Sequence, residues 1–176
     1  MEHRSLLSLA LAALASTTAC ATAPAPQPPP EQAFSAHADR LQVAQLSQRF
    51  SDAVNRHDWK LMAELCAEDA IWETSAGKLA FRHEGRAAIL KFLVENPNGV
   101  EVVSYATTTP FIETISGERA RTRLNMTEYL RVLATGEVKR IVGVYTDELV
   151  KRDGRWQFAH RTFTLQIAFD ERPAAL

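Results

Sequence analysis

Three ionisable side chains stand in rows of otherwise apolar residues: Glu128, Asp147 and Arg161. Alternate residues of a strand share one face, so each row can be sorted by parity. Over residues 119–133, Ala120, Thr122, Leu124, Met126, Leu130 and Val132 share a face with Glu128, and the other face is mostly arginine. Ile141, Gly143, Tyr145 and Leu149 share theirs with Asp147, although the opposite row, with Val142 and Val144, is apolar too. In the last run Ala159, Phe163, Leu165, Ile167 and Phe169 share a face with Arg161. An isolated buried charge is costly, so the three should pair with one another or with a ligand. One outcome is a structural ion pair. The other is a polar floor in an apolar pocket, the usual construction of a small-molecule site. In such a site Arg161 would supply a fixed donor fork, Asp147 or Glu128 a base raised into the useful range by its apolar surroundings, and Tyr145 a hydrogen bond.

The other chemistry-bearing residues carry weaker patterns. His160 falls on the face opposite Arg161 together with Trp156 and Phe158, which predicts an outward surface suited to a homodimer. His57 ends a helix beside Asp58 and should serve the helix C-terminus. His83 has no second ligand at metal spacing, and neither H-x-x-x-H nor C-x-x-C occurs, so no metal is expected. No glycine loop cradles a phosphate, and no cofactor is expected. Cys66 falls in an amphipathic segment and reads as a buried helical thiol.

The elements that must position these groups follow from periodicity. The chain has 176 residues, a formal net charge of −1, 46% hydrophobic and 23% charged residues, which suits one folded domain with additions. With no basic excess, nucleic acid is not an expected partner. Val43, Leu46, Phe50, Val54 and His57 recur at helical steps from about residue 37. Asp58 can cap a short second helix carrying Trp59, Met62, Leu65 and Cys66. A small strand pair is expected at 70–74 and 78–81, and a third helix at 86–95 that stops at Asn96-Pro97. Four long β-rich runs follow, at about 100–114, 119–133, 138–151 and 155–169, with hairpin turns at Thr135-Gly136 and Asp153-Gly154. The fold class is therefore α+β: a cone-shaped roll of strongly curved antiparallel sheet packed against three N-terminal helices.

The first 36 residues differ in kind. Residues 1–19 combine an arginine, an apolar stretch and a small-residue cleavage zone, a signal peptide of lipoprotein type. Thr17-Thr18-Ala19-Cys20 is similar to a bacterial lipobox, with Thr17 where leucine is usual, and implies lipidation of Cys20. The stretch 20–36 is rich in proline and alanine and suits an extended tether. The expected layout is a membrane anchor at Cys20, a tether, a domain at 37–170 and a tail at 171–176. That puts the domain in the bacterial cell envelope facing the periplasm, or exported and soluble if Cys20 is not lipidated.

Three segments together resemble the SnoaL-like branch of the nuclear transport factor 2-like superfamily: RFSDAVNRHDWKLMAELCAEDAIW at 49–72, FRHEGRAAILKFL at 81–93 and VGVYTDELVKRDGRWQFAHR at 142–161. The resemblance covers about residues 38–169 and is most specific at Y-x-D-x-L…D-G-x-W-x-x-x-x-R. It implies the cone fold. It also implies a role for Arg161, since related dehydrochlorinases carry an arginine there. Those relatives and scytalone dehydratase abstract protons with an Asp on the first helix and a His on the first long strand. The corresponding positions hold Asn55 and, within about a residue, Tyr105, so this dyad is absent. Asn cannot serve as a base, and an ordinary Tyr, with a pKa near ~10, is a poor one.

The expectation is therefore a domain that binds a small, largely apolar molecule in its cone, with Phe50, Asn55, Trp72, Tyr105, Met126 and Phe163 as candidate lining. One alternative is a cofactor-free lyase or isomerase using Asp147 or Glu128 with Arg161 and Tyr145. The other is a non-catalytic dimerisation or assembly module.

Overall fold

The computed structural model describes residues 30–74 and 80–171. The signal peptide, Cys20, most of the tether, the turn at Ala76-Gly77 and the last five residues lie outside them. Three helices precede most of the sheet: α1 (Pro30–Asn55), α2 (Trp59–Glu64) and α3 (Arg86–Glu95). The strands are β1 (Cys66–Thr74), β2 (Phe81–Glu84), β3 (Val100–Thr107), β4 (Phe111–Ser116), β5 (Arg119–Val132), β6 (Val138–Arg152) and β7 (Arg155–Glu171). They form one curved, unclosed sheet in the order β2-β1-β7-β6-β5-β3, with β4 also on β5. All neighbours are antiparallel except β1 and β7, which run parallel.

The helices form where the pattern places them, with shifted ends. Helix α1 starts at Pro30, ahead of the apolar stripe, and buries Val43, Leu46, Phe50, Ala53 and Val54 against the sheet. Asp58 caps α2, its Oδ1 accepting from the Leu61 N–H at 3.0 Å. Cys66 is not helical: it opens β1, although its side chain is buried. Asn96 ends α3 in the left-handed conformation at φ 45°. Asp153 and Gly154, both at positive φ, make the β6–β7 hairpin with its expected turn.

Two strand expectations need correction. The run 100–114 is two strands, because Pro110 has no N–H to give the ladder and the chain turns between Thr107 and Phe111. The partner of β1 is Phe81–Glu84, later than 78–81. A third correction concerns the faces of β7. Leu149 pairs with Phe158 and Glu148 with His160, so Ala159 is an extra residue in a β-bulge. A second bulge follows, where Gly143 pairs with Leu165 and Val142 with Ile167. Each bulge reverses the parity of the strand. Trp156 and Phe158 therefore point inward and are buried, at 5% and 1% exposure, instead of flanking His160 on the outside. Ile167 and Phe169 leave the inner row and emerge on the outer face, 45% and 38% exposed.

Side chains far apart in sequence also tie α1 to β6 and β7. Asp39 of α1 accepts from Lys151 Nζ at 2.6 Å and from Trp156 Nε1 at 3.0 Å. Burial pushes its carboxyl upward, but these two hydrogen bonds and the Lys151 charge hold it below its ordinary range.

Candidate functional site

The concave face of the sheet and the helices enclose a cavity of about 460 Å³. Its walls come from nearly every element: Phe50 from α1, Trp72 from β1, Tyr105 from β3, Met126 and Glu128 from β5, Tyr145 from β6 and Phe163 from β7. Strand register explains the grouping. Tyr105 lies opposite Glu128, Met126 opposite Gly143, and Tyr145 opposite both Leu124 and Phe163. The Phe163 ring sits over Gly143, where a Cβ would come within 2.4 Å of it. Edge-to-face contacts stiffen the aromatic wall, with Phe50 and Trp72 centroids 6.3 Å apart and Trp72 and Phe81 5.2 Å apart.

The three charges split into two arrangements. Asp147 and Arg161 pair with each other below the cavity, with Arg161 Nε 3.2 Å from Asp147 Oδ1 and the side chains 0% and 2% exposed. The Arg161 guanidinium is sandwiched among rings, 3.9 Å from the centroids of Phe50 and Tyr145 and 4.4 Å from Phe158. Neither residue lines the cavity. Burial raises the Asp147 carboxyl to about 6 against the opposing pull of Arg161. Glu128 is different. It lines the cavity, and among the described residues no hydrogen bond or ion pair reaches its carboxyl, which burial raises to about 7.

The Tyr105 and Tyr145 hydroxyls share this wall, and burial pushes both above their ordinary range. The Tyr105 hydroxyl has no hydrogen-bond partner. Asn55 does not line the cavity. Its side chain accepts from the Tyr105 N–H at 2.8 Å and donates to the Tyr105 carbonyl at 2.7 Å, fastening α1 to β3. Asn55 is thus a structural crosslink between α1 and β3.

Other candidates resolve plainly. His57 sits just past α1 at φ 55°, with Nε2 2.8 Å from the Val102 carbonyl and its ring stacked on Trp59, so it bridges to β3 and does not serve the helix end. His160 does face outward, 2.8 Å from Glu73, which also pairs with Arg82. Burial lifts the Cys66 thiol to about 11, which makes it inert at neutral pH. Among the described residues no group of His, Cys, Asp and Glu converges as a metal site would require. The sequence patterns had not marked Phe81, Phe92, Trp59 or His57 as lining. Phe92 lies one helical turn from the buried Ile89, and that spacing was the available signal.

Comparison with known proteins gives a consistent result. The fold superposes on a hexachlorocyclohexane dehydrochlorinase of type 2 with a TM-score of 0.72 and 16% identity, over 82% of this chain and 96% of that one. A protein related to nuclear transport factor 2 from Novosphingobium aromaticivorans gives a TM-score of 0.62 at 17% identity, over 77% and 86%. A Mycobacterium tuberculosis protein of unknown function gives 0.61 at 25% identity, over 78% and 76%. No curated protein matches by sequence. The family model of the SnoaL-like domain matches residues 35–162, most of the chain, and the protein belongs to that family.

Proposed function

We propose that this protein binds a small, largely apolar molecule in its cone, held at the cell envelope through a lipid on Cys20. The observation that supports binding is the 460 Å³ aromatic cavity with the unpartnered carboxyl of Glu128 in its wall. Native mass spectrometry of the full chain from its own host tests it. A co-purifying small molecule that disappears in Met126→Trp, which fills the cavity, supports the reading. An empty chain whose tryptophan fluorescence no apolar probe alters removes it. Lipidation is read separately, as the mass added at Cys20.

A second reading is a cofactor-free lyase or isomerase, and what favours it is the Glu128 carboxyl near 7. Glu128 would take a proton from a substrate carbon. The electron pair left behind would form a double bond to the adjacent carbon, either expelling a leaving group from that carbon or displacing a double bond already there, whose far carbon then takes the proton back from Glu128. The Tyr145 and Tyr105 hydroxyls would steady developing negative charge on a substrate oxygen. Asp147 and Arg161 would act only by holding Tyr145 and Phe50 in place. On this reading Glu128→Gln abolishes turnover without lowering the melting temperature, and retained turnover eliminates it.

A homodimer through the outer sheet face belongs to the same proposal, supported by the exposure of Ile167 and Phe169 there. Sedimentation of the full chain decides it: a dimer mass supports it, and a monomer at every concentration removes it.

A further inference from the structure

The cavity has a sign. Among the described residues that line it, no lysine or arginine occurs, while Glu128 and Glu101 both do. Glu101 is at the rim and held by Arg131 at 2.7 Å. Arg161 lies beneath the floor, paired with Asp147 at 3.2 Å and covered by the rings of Phe50 and Tyr145. His57 has its Nε2 committed to the Val102 carbonyl. Of the charge-bearing groups, what remains facing the space is one carboxyl without a partner, set amid aromatic rings, with Thr74, Asn96 and Asn98 as uncharged polar lining.

Resting on the reading of the cone as a small-molecule site, we infer that its ligand is a primary or secondary amine with an apolar body, bound as the ammonium ion against Glu128. A carboxylate forms its strongest contact with a charged N–H donor. Aromatic faces add attraction for a cation and none for an anion. The apolar body accounts for the rest of the wall. A neutral alcohol would find the same space but leave the carboxyl with an uncharged donor, and a carboxylic acid would face like charge.

The pH dependence carries the same signature. Tyr105 and Tyr145 stay neutral across the neutral range, because burial raises both. Glu101 is ion-paired to Arg131 and Asp147 to Arg161. Glu128, near 7, is then the carboxyl whose ionisation faces the ligand, so amine affinity rises from about pH 6 to about pH 8. A neutral ligand that accepts a hydrogen bond from protonated Glu128 follows the opposite trend.

The test is a matched series on the full chain: 4-phenylbutylamine, 4-phenylbutanol and 4-phenylbutyrate, titrated by tryptophan fluorescence and calorimetry. The amine should bind at least about tenfold more tightly than the alcohol at about pH 8, with the acid weakest. Glu128→Gln should erase that preference, so that amine and alcohol bind within a few-fold of each other. An alcohol that binds as tightly as the amine overturns the amine assignment and leaves the small-molecule reading standing, as does an amine preference that survives Glu128→Gln. If no member of the series binds, the cone is not an apolar small-molecule site and both readings fall. The comparison within the native chain stands even if the variant does not fold.

Discussion

Asp147 and Glu128 are both carboxyls on the concave side of one sheet, carried by neighbouring strands, and both are raised by burial. Their surroundings separate them. Asp147 has a guanidinium at 3.2 Å and no opening to the cavity, whereas Glu128 opens onto the cavity and meets no cation. A buried charge with a protein partner reports on folding. One that has space where a partner would be reports on what the space is for.

The largest effect should come from breaking the closed arrangement. Arg161→Met strands the Asp147 carboxylate and should cost about 3–5 kcal/mol in denaturant unfolding. Asp147→Leu combined with Arg161→Met should recover most of that loss, because the pair is then replaced by apolar packing. A double variant as unstable as the single one would mean that the guanidinium matters mainly for the rings it touches.

Next comes a pH effect at the open carboxyl. The folded-state value of Glu128 lies above its ordinary 4.5, at about 7, so the folded protein binds the extra proton in that window. Stability contributed by the protonated form is fully present at lower pH and declines as pH rises from about 4.5 through 7, by about 3 kcal/mol in all. Asp147 slopes in the same direction over 3.8 to about 6, so the assignment rests on a difference. Glu128→Gln should flatten the decline between 6 and 7 specifically, read as melting temperature against pH. An unaltered slope would place Glu128 in contact with water.

Gly143→Ala tests the wall itself. The added Cβ would meet the Phe163 ring at 2.4 Å and the Thr164 carbonyl at 2.5 Å. Because the backbone oxygen cannot swing away, the expected loss is about 2 kcal/mol, together with weaker ligand binding as Phe163 is pushed into the cavity. The smallest effect belongs to Asn55→Ala, which removes two hydrogen bonds to the Tyr105 backbone from a partly exposed site. A loss of about 1 kcal/mol with ligand affinity preserved fits a crosslink; a loss of affinity at constant stability would return Asn55 to the site.

How much of this was legible in the sequence depended on strand regularity. Parity sorted β5 and β6 correctly, and Glu128, Asp147 and Tyr145 all lie on the inner face. In β7 the same rule failed twice, because a bulge at Ala159 and another beyond Leu165 leave no mark in the hydrophobic pattern. For that reason parity alone puts Trp156 and Phe158 outward and Ile167 and Phe169 inward, the reverse of their places in the fold. The Asp147–Arg161 pairing also needed register: single rows show that each charge needs a partner, not which one it meets. Trp59 and Phe92 carry no lining signal in the sequence beyond helical spacing, because they belong to separate short helices that only the folded cone brings to one wall. Asn55 was legible by type, as a residue that cannot be a base, but its bond to Tyr105 spans 50 positions.

The parallel pairing of β1 with β7 sets a schedule as well as a shape. Cys66 lies beside Phe158 and Trp72 beside Arg161, so among the described residues the β1–β2 hairpin joins the rest of the sheet through β7, about 90 positions later in the chain. Contacts that distant slow folding, since a long loop must close before they form. The nascent chain therefore cannot seal the Asp147 side of the cone until residue 161 has emerged, and until then it remains open to chaperones and to whatever machinery handles unfolded chains.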